Sequence, residues 1–307
     1  MTDESKTIEF TIESSNERLD RAVVRHVESL SRAQIQTLIR DGLVTVDGER
    51  AKASLKLKGG ERIAVTLPPQ AETTLEAEDI AFNIVYEDDD LAVIDKPAGL
   101  VVHPGMNNET GTLVHGLLAR WPQIAEMPVD EKRVGIVHRL DKGTSGLIVV
   151  AKHDVARRHL MEQFQARTVE KVYLALVERV PKTRTGRIEA PIMRDPNNRK
   201  RMAVRREGKP AITEFRVLED DFSGGQALVE ATLLTGRTHQ IRVHLAFIGC
   251  PIVGDSIYGF RKQRVKLKRQ FLHATRLCFD QPTSGERLCF ESALPVALQN
   301  LLDKLRN

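Results

Sequence analysis

The sequence is poor in several residue types and patterns, and each shortage excludes a class of protein. Among 307 residues there are three cysteines, one tryptophan and three tyrosines. Cys250, Cys278 and Cys289 are too few and too dispersed for a disulfide framework or a cysteine-based zinc site, so we expect three reduced, buried thiols. No apolar run approaches the roughly 18 residues of a membrane span, and the acidic N-terminus lacks the features of a signal peptide. We therefore expect a soluble cytoplasmic protein without a membrane partner.

Two common nucleotide-binding fingerprints are also missing. The sequence contains neither G-x-x-x-x-G-K-[ST] nor G-x-G-x-x-G. No H-x-x-x-H or D-x-D spacing of the kind that collects metal ligands lies near Asp141. We expect no cofactor and no metal site.

The residues that are present predict a globular protein of about two domains. Hydrophobic residues make up 41% and charged residues 29% of the chain, which is sufficient for a sizeable core. The net charge of +4 is unevenly distributed. Residues 1–66 balance 11 basic against 11 acidic groups, residues 67–98 carry 1 basic and 9 acidic, and residues 99–307 carry 34 basic and 22 acidic. The large basic C-terminal part suggests a polyanionic partner.

The first 66 residues predict two short helices and a small sheet. Apolar residues recur at helical spacing in two runs, which are Leu19, Val23, Val27 and Leu30, then Ile35, Leu38 and Ile39. Ser31 is expected to cap the second helix with Gln34 as its capping-box partner, and Gly42 is expected to end that helix. The segment V-T-V-D-G at 44–48 then alternates and ends in an Asp-Gly turn signal, and residues 63–67 alternate as a further strand.

This combination of S-R, L-I-x-x-G and V-x-V-D-G resembles the S4 RNA-binding domain. The resemblance implies that the basic side chains of the module position RNA through its phosphates, without reading its sequence. The residues expected to do so are Arg32, Arg40, Lys52, Lys56 and Lys58. The alternative is a small helical cap with solvated charges.

A proline-bearing acidic stretch at 67–79 is predicted to be a linker, and residues 80–307 a second domain. In this domain we expect strands at 84–86, 91–94, 147–151, 172–177 and 227–233. Helices are expected at 154–167, with Asp154 as N-cap, at 238–248 and at 296–305. The strands and helices do not alternate strictly, so the predicted fold class is α+β around a mixed, largely antiparallel sheet.

The densest cluster of reactive side chains lies in G-I-V-H-R-L-D-K-G-T-S-G-L at 135–147. It places Asp141 between Arg139 and Lys142 in a polar, glycine-bearing loop ahead of an apolar strand. Neighbouring positive charge favours the ionised carboxylate, which can act as a nucleophile or as a base. The alternative is a surface turn with a structural ion pair.

The loop resembles the catalytic motif H-R-L-D-x-x-T-S-G-L of the RluA-type pseudouridine synthases. Four further strings agree with that family in order, which are E-K-V-Y at 170–173, T-G-R-T-H-Q-I-R-V-H at 235–244, G-D-S-I-Y-G at 254–259 and L-H-A at 272–274. The resemblance covers the chain from about residue 80 to 295, and with the S4-like module nearly all of it. Two positions depart from the family pattern, since Gly143 stands where an acidic residue is common and Gln281-Pro282 replaces H-P.

The resemblance implies the pseudouridine synthase fold and a set of roles. Asp141 is the expected catalytic carboxylate, which either attacks C1′ of the uridine or removes a sugar proton. Tyr173 is expected to stack on the base, and Arg242 to pair with the carboxylate through its planar fork. Arg139 is expected to fill the space that the flipped base leaves. His138 and Lys142, which lie beside it, are expected to contact RNA, although His138 could instead brace the loop.

Two basic segments are expected to follow the phosphate backbone. Residues 194–210 hold 7 basic and 2 acidic groups, and residues 261–269 hold 6 basic and none acidic. In the first segment the expected contacts are Arg199, Lys200, Arg201, Arg205 and Arg206. As isolated charge runs they would be solvated surface.

Within the family, V-V-H-P-G at 101–105 and G-T-L at 111–113 are most similar to the S4-bearing D-type subgroup, which modifies large-subunit rRNA. The expected function is therefore isomerisation of specific uridines in 23S rRNA, with ribosomal RNA as partner and a monomeric enzyme. Modification of other rRNA sites or of tRNA remains an alternative. A non-catalytic ribosome-assembly factor and a metal-dependent RNA hydrolase are the rivals from other classes.

Overall fold

The computed structural model describes residues 6–13, 16–27, 30, 32–67, 75–105, 108–129, 131–198 and 201–307. The chain divides into two compact units, residues 1–73 and 74–307. The division falls inside the stretch 67–79 that the composition predicts to be a linker.

The N-terminal unit has the predicted helices and sheet. Its elements are β1 (Lys6–Thr11), α1 (Leu19–His26), α2 (Arg32–Asp41), β2 (Val44–Val46), β3 (Glu49–Arg50) and β4 (Arg62–Leu67), with the antiparallel strand order β1-β4-β2-β3. Gly42 follows α2 with φ +80°, as expected for the residue that ends a helix. Asp47 and Gly48 both have positive φ, which a two-residue hairpin turn requires. The predicted cap Ser31 lies outside the described residues.

A buried carboxylate links the two helices of this unit. Asp20 is fully buried and accepts hydrogen bonds from Arg18 at 3.0 Å, from Arg32 at 2.8 Å and from Gln36 at 2.7 Å. The hydrogen bond from Arg18 is the main reason that the pKa of Asp20 lies far below its ordinary value, although burial alone would raise it. Asp20 therefore fixes the guanidinium of Arg32, one of the expected RNA contacts.

Asp20→Asn should loosen the N-terminal unit at neutral pH and have less effect in acid. The depressed pKa of Asp20 contributes stability above the unfolded value of about 3.9, and that stability is lost as pH falls below it. Amide hydrogen exchange in α1 and α2, corrected for intrinsic rates, should be at least about tenfold faster in the variant at pH 7. The difference should narrow below about pH 4. A pH-independent difference would show that the charge of Asp20 does not stabilise this unit.

The second unit is built around a nine-stranded sheet formed by the described residues. Its elements are β5 (Asn83–Glu87), β6 (Leu91–Lys96), α3 (Leu113–Arg120), β7 (Ser145–Ala151), α4 (Asp154–Ala166), β8 (Glu170–Val177), β9 (Thr185–Glu189), β10 (Ile192–Arg194), β11 (Met202–Val204), β12 (Ile212–Glu219), β13 (Ala227–Leu233), α5 (Gln240–Phe247), β14 (Leu272–Asp280), β15 (Arg287–Glu291) and α6 (Val296–Arg306). Two short 3-10 helices, Pro122–Glu126 and Glu131–Arg133, follow α3.

The order of strands in the large sheet is β5-β6-β7-β14-β8-β13-β12-β9, and β15 pairs with β14. The pairing of β7 with β14 is parallel and the other pairs of this sheet are antiparallel within the described residues. All seven residues of β7 are buried, whereas β5 and β15 at the periphery alternate between exposed and half-buried residues. The α+β class with a mixed, largely antiparallel sheet is confirmed.

Two sequence expectations about this unit are wrong in detail. Helix α4 begins at Asp154 and its N-cap is His153, whose Nδ1 accepts from the amide of Ala156 at 3.2 Å. Asp90 lies 2.8 Å from Nε2 of the same ring and helps to orient it, a contact between distant segments that local spacing does not reveal. Helix α5 is two residues shorter at its start than the apolar pattern predicts.

The expectation of three free thiols is also wrong. Cys278 on β14 and Cys289 on β15 face each other in the strand register and form a disulfide, and Cys250 is the buried free thiol. Residues directly opposite on two antiparallel strands bring their Cβ atoms close enough for a disulfide. Their spacing in the sequence does not show that register.

No helix among the described residues is both long enough and apolar enough to cross a membrane.

Candidate active site

Asp141 lies in the loop that enters the central strand β7. The loop is closed by a hydrogen bond from the amide of Thr144 to the carbonyl of Asp141 at 3.0 Å, and Gly99 donates to the carbonyl of Lys142 at 2.7 Å. Gly146 has φ +110°, and a Cβ there would lie 2.2 Å from the carbonyl oxygen of Ala274 on β14. A side chain at this position would push apart β7 and β14, so glycine is required where the loop joins the sheet.

Two side chains from the segment before β14 brace the same loop. Arg269 donates to the carbonyl of Gly143 at 3.0 Å, and Gln270 donates to the hydroxyl of Thr144 at 3.2 Å. A Cβ at position 143 would lie 2.4 Å from Oε1 of Gln270. The departure from the family motif at Gly143 therefore makes room for the glutamine that holds the loop.

The carboxylate of Asp141 is paired with Arg242 on α5, as predicted. Nη1 of Arg242 donates to Oδ2 of Asp141 at 2.9 Å. The rest of the guanidinium forms a bidentate pair with Asp255, in which Nε lies 2.7 Å from Oδ2 and Nη2 lies 3.0 Å from Oδ1. The side chain of Asp255 is fully buried, that of Arg242 is 6% exposed and that of Asp141 is 16% exposed. Arg242 thus connects a buried carboxylate to one at the surface of the site.

The pKa directions of this cluster follow from its geometry. Burial lowers the pKa of Arg242, but its hydrogen bonds and ion pairs with Asp255 and Asp141 outweigh burial and raise it above its ordinary value. Burial likewise raises the pKa of Asp255, yet hydrogen bonds from Arg242 and from the amides of Ile257 and Tyr258 hold it below its ordinary value. Both members of the pair therefore stay charged at neutral pH.

Tyr173 lies on β8 and lines the same open cavity as Asp141, together with Arg139, Leu233 and Arg237. Its side chain is largely buried, and burial followed by the charge of Asp141 raises its pKa above the ordinary value. The phenol is therefore neutral under physiological conditions. The prediction that Tyr173 faces a pocket agrees with this placement.

His239 completes the wall of the cavity on the side of Asp141. Its Nε2 is 3.9 Å from Oδ1 of Asp141, the oxygen that Arg242 does not bind. Its Nδ1 is 2.9 Å from the hydroxyl of Tyr258, whose ring lies 5.1 Å from the guanidinium of Arg242. Asp255, His239 and Tyr258 were not assigned roles by sequence reasoning, although their motifs, G-D-x-x-Y-G and T-H-Q-I-R, were identified.

The two cations that neighbour Asp141 in the sequence have other partners in the structure. Nη1 of Arg139 lies 3.3 Å from Nε2 of His103, and Lys142 donates to the side chain of Asn108 at 3.2 Å. Among the described residues neither cation forms an ion pair with Asp141, although Arg139 lines the same cavity, so the expected flanking of the carboxylate stays a prediction. Both side chains are exposed and remain available to RNA.

His138 is engaged inside the protein. Its Nε2 accepts from the amide of Val149 at 3.0 Å, and its ring stacks on Phe164 with centroids 4.7 Å apart. Burial, followed by the charge of Lys171, lowers the pKa of His138 to about 3. The neutral ring braces the loop, and its contact with RNA remains only a prediction.

The other predicted RNA contacts are distributed over both units. In the N-terminal unit Arg32, Arg40, Lys56 and Lys58 are exposed. In the second unit Arg205 and Arg206 are exposed beyond β11, and Arg201 lies 5.4 Å from the ring of Tyr258. Arg199 and Lys200 lie outside the described residues. The structure places Arg201 and Arg242 beside the same ring of Tyr258, and the RNA contacts themselves stay predictions.

The site thus combines a carboxylate on an open cavity, an aromatic ring beside it and basic surroundings, which together suit chemistry on a nucleotide. Residues 90–247 match the family model described as RNA pseudouridylate synthase, and residues 17–63 match the S4 domain. A relative from Chloroflexus aurantiacus described as an uncharacterized RNA pseudouridine synthase is 49% identical, covering 95% of this chain and 90% of its own. The Ribosomal large subunit pseudouridine synthase D of Nitrosomonas europaea is 45% identical, covering 98% and 88%.

The fold is also similar to that of a solved structure from the same family. The structure of human RNA pseudouridylate synthase domain containing 1 matches with a TM-score of 0.57 and 28% identity, covering 75% of this chain and 96% of that one. The chain belongs to the RNA pseudouridylate synthase family and carries an S4 domain ahead of the catalytic domain. It is accordingly an isomerase that acts on RNA.

Substitutions in the cluster of Asp141, Arg242 and Asp255 should lower the free energy of unfolding in the order of the charge that each leaves unpaired. Arg242→Met leaves two carboxylates without their cation, and breaking such a buried pair costs roughly 3–5 kcal/mol. Arg242→Lys should lower the free energy of unfolding by less, since lysine keeps the positive charge but cannot form the bidentate pair. Asp141→Asn should cost least, because Asp141 is partly exposed and Arg242 keeps Asp255. Urea unfolding followed by the fluorescence of Trp121 in the same unit measures this order. Equal losses in Arg242→Met and Asp141→Asn would contradict the buried pairing with Asp255.

Proposed function

We propose that this protein converts specific uridines of 23S ribosomal RNA to pseudouridine. In this reaction the N1–C1′ bond breaks, the base turns and a C5–C1′ bond forms, while C5 loses a proton and N1 gains one. The product is an isomer of the substrate, so the reaction needs no oxidant and no transferred group. Support for the substrate comes from relatives named Ribosomal large subunit pseudouridine synthase D, at 43–45% identity over 95% or more of this chain.

The proposal rests mainly on the two unequal oxygens of Asp141. Oδ2 accepts a hydrogen bond from Arg242, whereas Oδ1 lies 3.9 Å from Nε2 of His239, and Asp141 lines the open cavity. A carboxylate anchored by one oxygen and open at the other can approach the anomeric carbon or a sugar proton without moving its anchor. In either route Asp141 is the catalytic residue, and Arg242 orients it.

Tyr173 and Arg139 are proposed to handle the base. The neutral phenol ring of Tyr173 provides a flat surface on the cavity wall, on which a uracil can stack. The base must first leave its helix or loop stack, which costs a few kcal/mol. Arg139 is exposed at the rim of the same cavity and can enter the gap left in the RNA. His103 would hold Arg139 in place until RNA arrives.

The remaining basic residues are proposed to position the RNA. We assign phosphate contacts to Lys142, to the S4 side chains Arg32, Arg40, Lys56 and Lys58, and to the 199–206 segment. His138 is assigned a bracing role beside them. A ribosomal RNA substrate places the enzyme in the cytoplasm, and we propose that it acts as a monomer.

Asp141→Asn should abolish pseudouridine formation while leaving RNA affinity within about tenfold, because the amide keeps the shape but is neither a nucleophile nor an anionic base. The measurement is a chemical map of pseudouridine in 23S rRNA from cells that lack the protein, complemented with wild type or with the variant. The matched control is Asp280→Asn, because Asp280 is a surface carboxylate of β14 that pairs with Arg287. This variant should restore modification. Full modification without the protein would overturn the proposed substrate, and modification by Asp141→Asn would overturn the role of Asp141.

A chain that starts at residue 74 should keep its chemistry on a small RNA stem-loop and lose affinity for 23S rRNA. The two units are separately compact, and the proposed phosphate contacts Arg32, Arg40, Lys56 and Lys58 belong to the first. Single-turnover rates on the stem-loop should stay within about threefold of the full chain, whereas affinity for 23S rRNA should fall at least tenfold and depend less on salt. Inactivity of the soluble truncated chain on the stem-loop would show that the first unit completes the active site.

A further inference from the structure

His239 occupies a position that the proposed chemistry does not yet explain. It precedes α5 with φ +58°, a left-handed conformation that histidine adopts at some cost in free energy. Its side chain is 19% exposed and lines the cavity with Asp141, Tyr173 and Arg139. The distance of 3.9 Å from Nε2 to Oδ1 of Asp141 is too long for a direct hydrogen bond. The imidazole therefore flanks the reactive oxygen without binding it.

The contacts of Tyr258 favour one tautomer of this imidazole. The amide of Met202 donates to the hydroxyl oxygen of Tyr258 at 2.7 Å. The hydroxyl hydrogen then needs an acceptor, and among the described residues Nδ1 of His239, at 2.9 Å, is the one within reach. A phenol that donates to Nδ1 leaves the proton of a neutral imidazole on Nε2.

Two further observations support a neutral ring in this tautomer. Burial lowers the pKa of His239 below its ordinary value, although the nearby charge of Asp141 opposes the shift. The ring of Tyr258 meets that of His239 edge to face at 5.7 Å, and the amide of Tyr258 is itself fixed on Asp255 at 3.1 Å. The orientation of the Nε2–H bond is thus set by the same residues that hold Arg242.

We propose that His239 binds the 2′-hydroxyl of the target nucleotide through Nε2–H and thereby makes the active site selective for ribose. This inference rests on the proposed function, because it requires a nucleotide sugar at Asp141. Reaction at the sugar brings C1′ or C2′ to within about 3–3.5 Å of the carboxylate oxygen. The 2′-hydroxyl, on the carbon next to C1′, then falls in the space between Oδ1 and Nε2. It is an acceptor as well as a donor, and at a given nucleotide it distinguishes RNA from DNA.

The test compares two synthetic RNA stem-loops that differ in one atom. Both carry the uridine mapped in the deletion strain, one with ribose and one with 2′-deoxyribose at that nucleotide alone. Single-turnover rates are measured for wild type, His239→Ala, His239→Gln and the surface control His159→Ala. The single-turnover rate of His239→Ala should fall about tenfold or more on the ribose target and less than about twofold on the deoxyribose target. His239→Gln, whose amide can still donate, should recover part of the loss, and His159→Ala should resemble wild type.

Equal losses on the two targets in His239→Ala would overturn the proposal, since they would show a structural effect that ignores the 2′-hydroxyl. If the wild type does not turn over the deoxyribose target, the same comparison is made by binding in an Asp141→Asn background. In that background, equal losses of affinity for the two targets would again contradict the proposed contact between His239 and the 2′-hydroxyl. Failure of the wild type on the ribose target would instead overturn the proposed function.

Tyr258→Phe provides an independent check of the tautomer. The variant keeps the ring beside Arg242 and removes only the hydroxyl that donates to Nδ1. It should weaken the preference for ribose, and combining it with His239→Ala should add nothing to that loss. An additive effect of the two substitutions on the ribose preference would show that Tyr258 does not act through His239.

Discussion

The active site depends on one buried guanidinium that is shared by two carboxylates. Arg242 uses two of its N–H groups for Asp255 and a third for Asp141. A lone buried arginine would be costly, and the bidentate pair with Asp255 offsets that cost while fixing the plane of the guanidinium. A bidentate pair with Asp141 would occupy both of its oxygens. Because Asp255 takes the fork, Asp141 receives a single hydrogen bond and keeps one oxygen open to the cavity.

The fold brings the three charges together from distant parts of the chain. Asp141 and Arg242 are 101 residues apart. The strand register aligns Gly146 at the start of β7 with Ala274 on β14, and through Tyr173 on β8 with Ala231 near the end of β13, so the loop before β7 and the helix after β13 begin at the same level of the sheet. The parallel contact of β7 with β14 requires a close approach at Gly146, which places the catalytic loop against Arg269 and Gln270. The loop that carries Asp141 is therefore held by hydrogen bonds from Arg269 and Gln270, while Asp141 itself lines an open cavity.

How well the sequence predicts this arrangement depends on how far apart in the chain the contacting residues are. Local signals such as the Asp47-Gly48 turn, Gly42 and the apolar runs of α1 and β13 are confirmed, since they depend on a few adjacent residues. The pairing of Asp141 with Arg242 was reached only through the family resemblance. The thiol state of Cys278 and Cys289 and the N-cap of α4 were predicted incorrectly, because each depends on strand register or on loop contacts that spacing does not encode. Asp255 escaped notice because a buried aspartate in a turn has no periodic signal.

The separation of cations into two groups explains how one site can hold both a reactive anion and a polyanionic substrate. Arg242 is buried and satisfied by carboxylates, so its charge acts on Asp141 and not on RNA. Arg139 lies beside the imidazole of residue 103 and Lys142 donates to the side-chain amide of residue 108, so among the described residues these cations have no carboxylate partner to give up when RNA binds. Had these two cations been paired with Asp141, phosphates would compete with the carboxylate for them, and RNA binding would break its ion pairs. Separate partners for the two groups of cations would let the proposed RNA contacts form without disturbing the carboxylate that we propose to be catalytic.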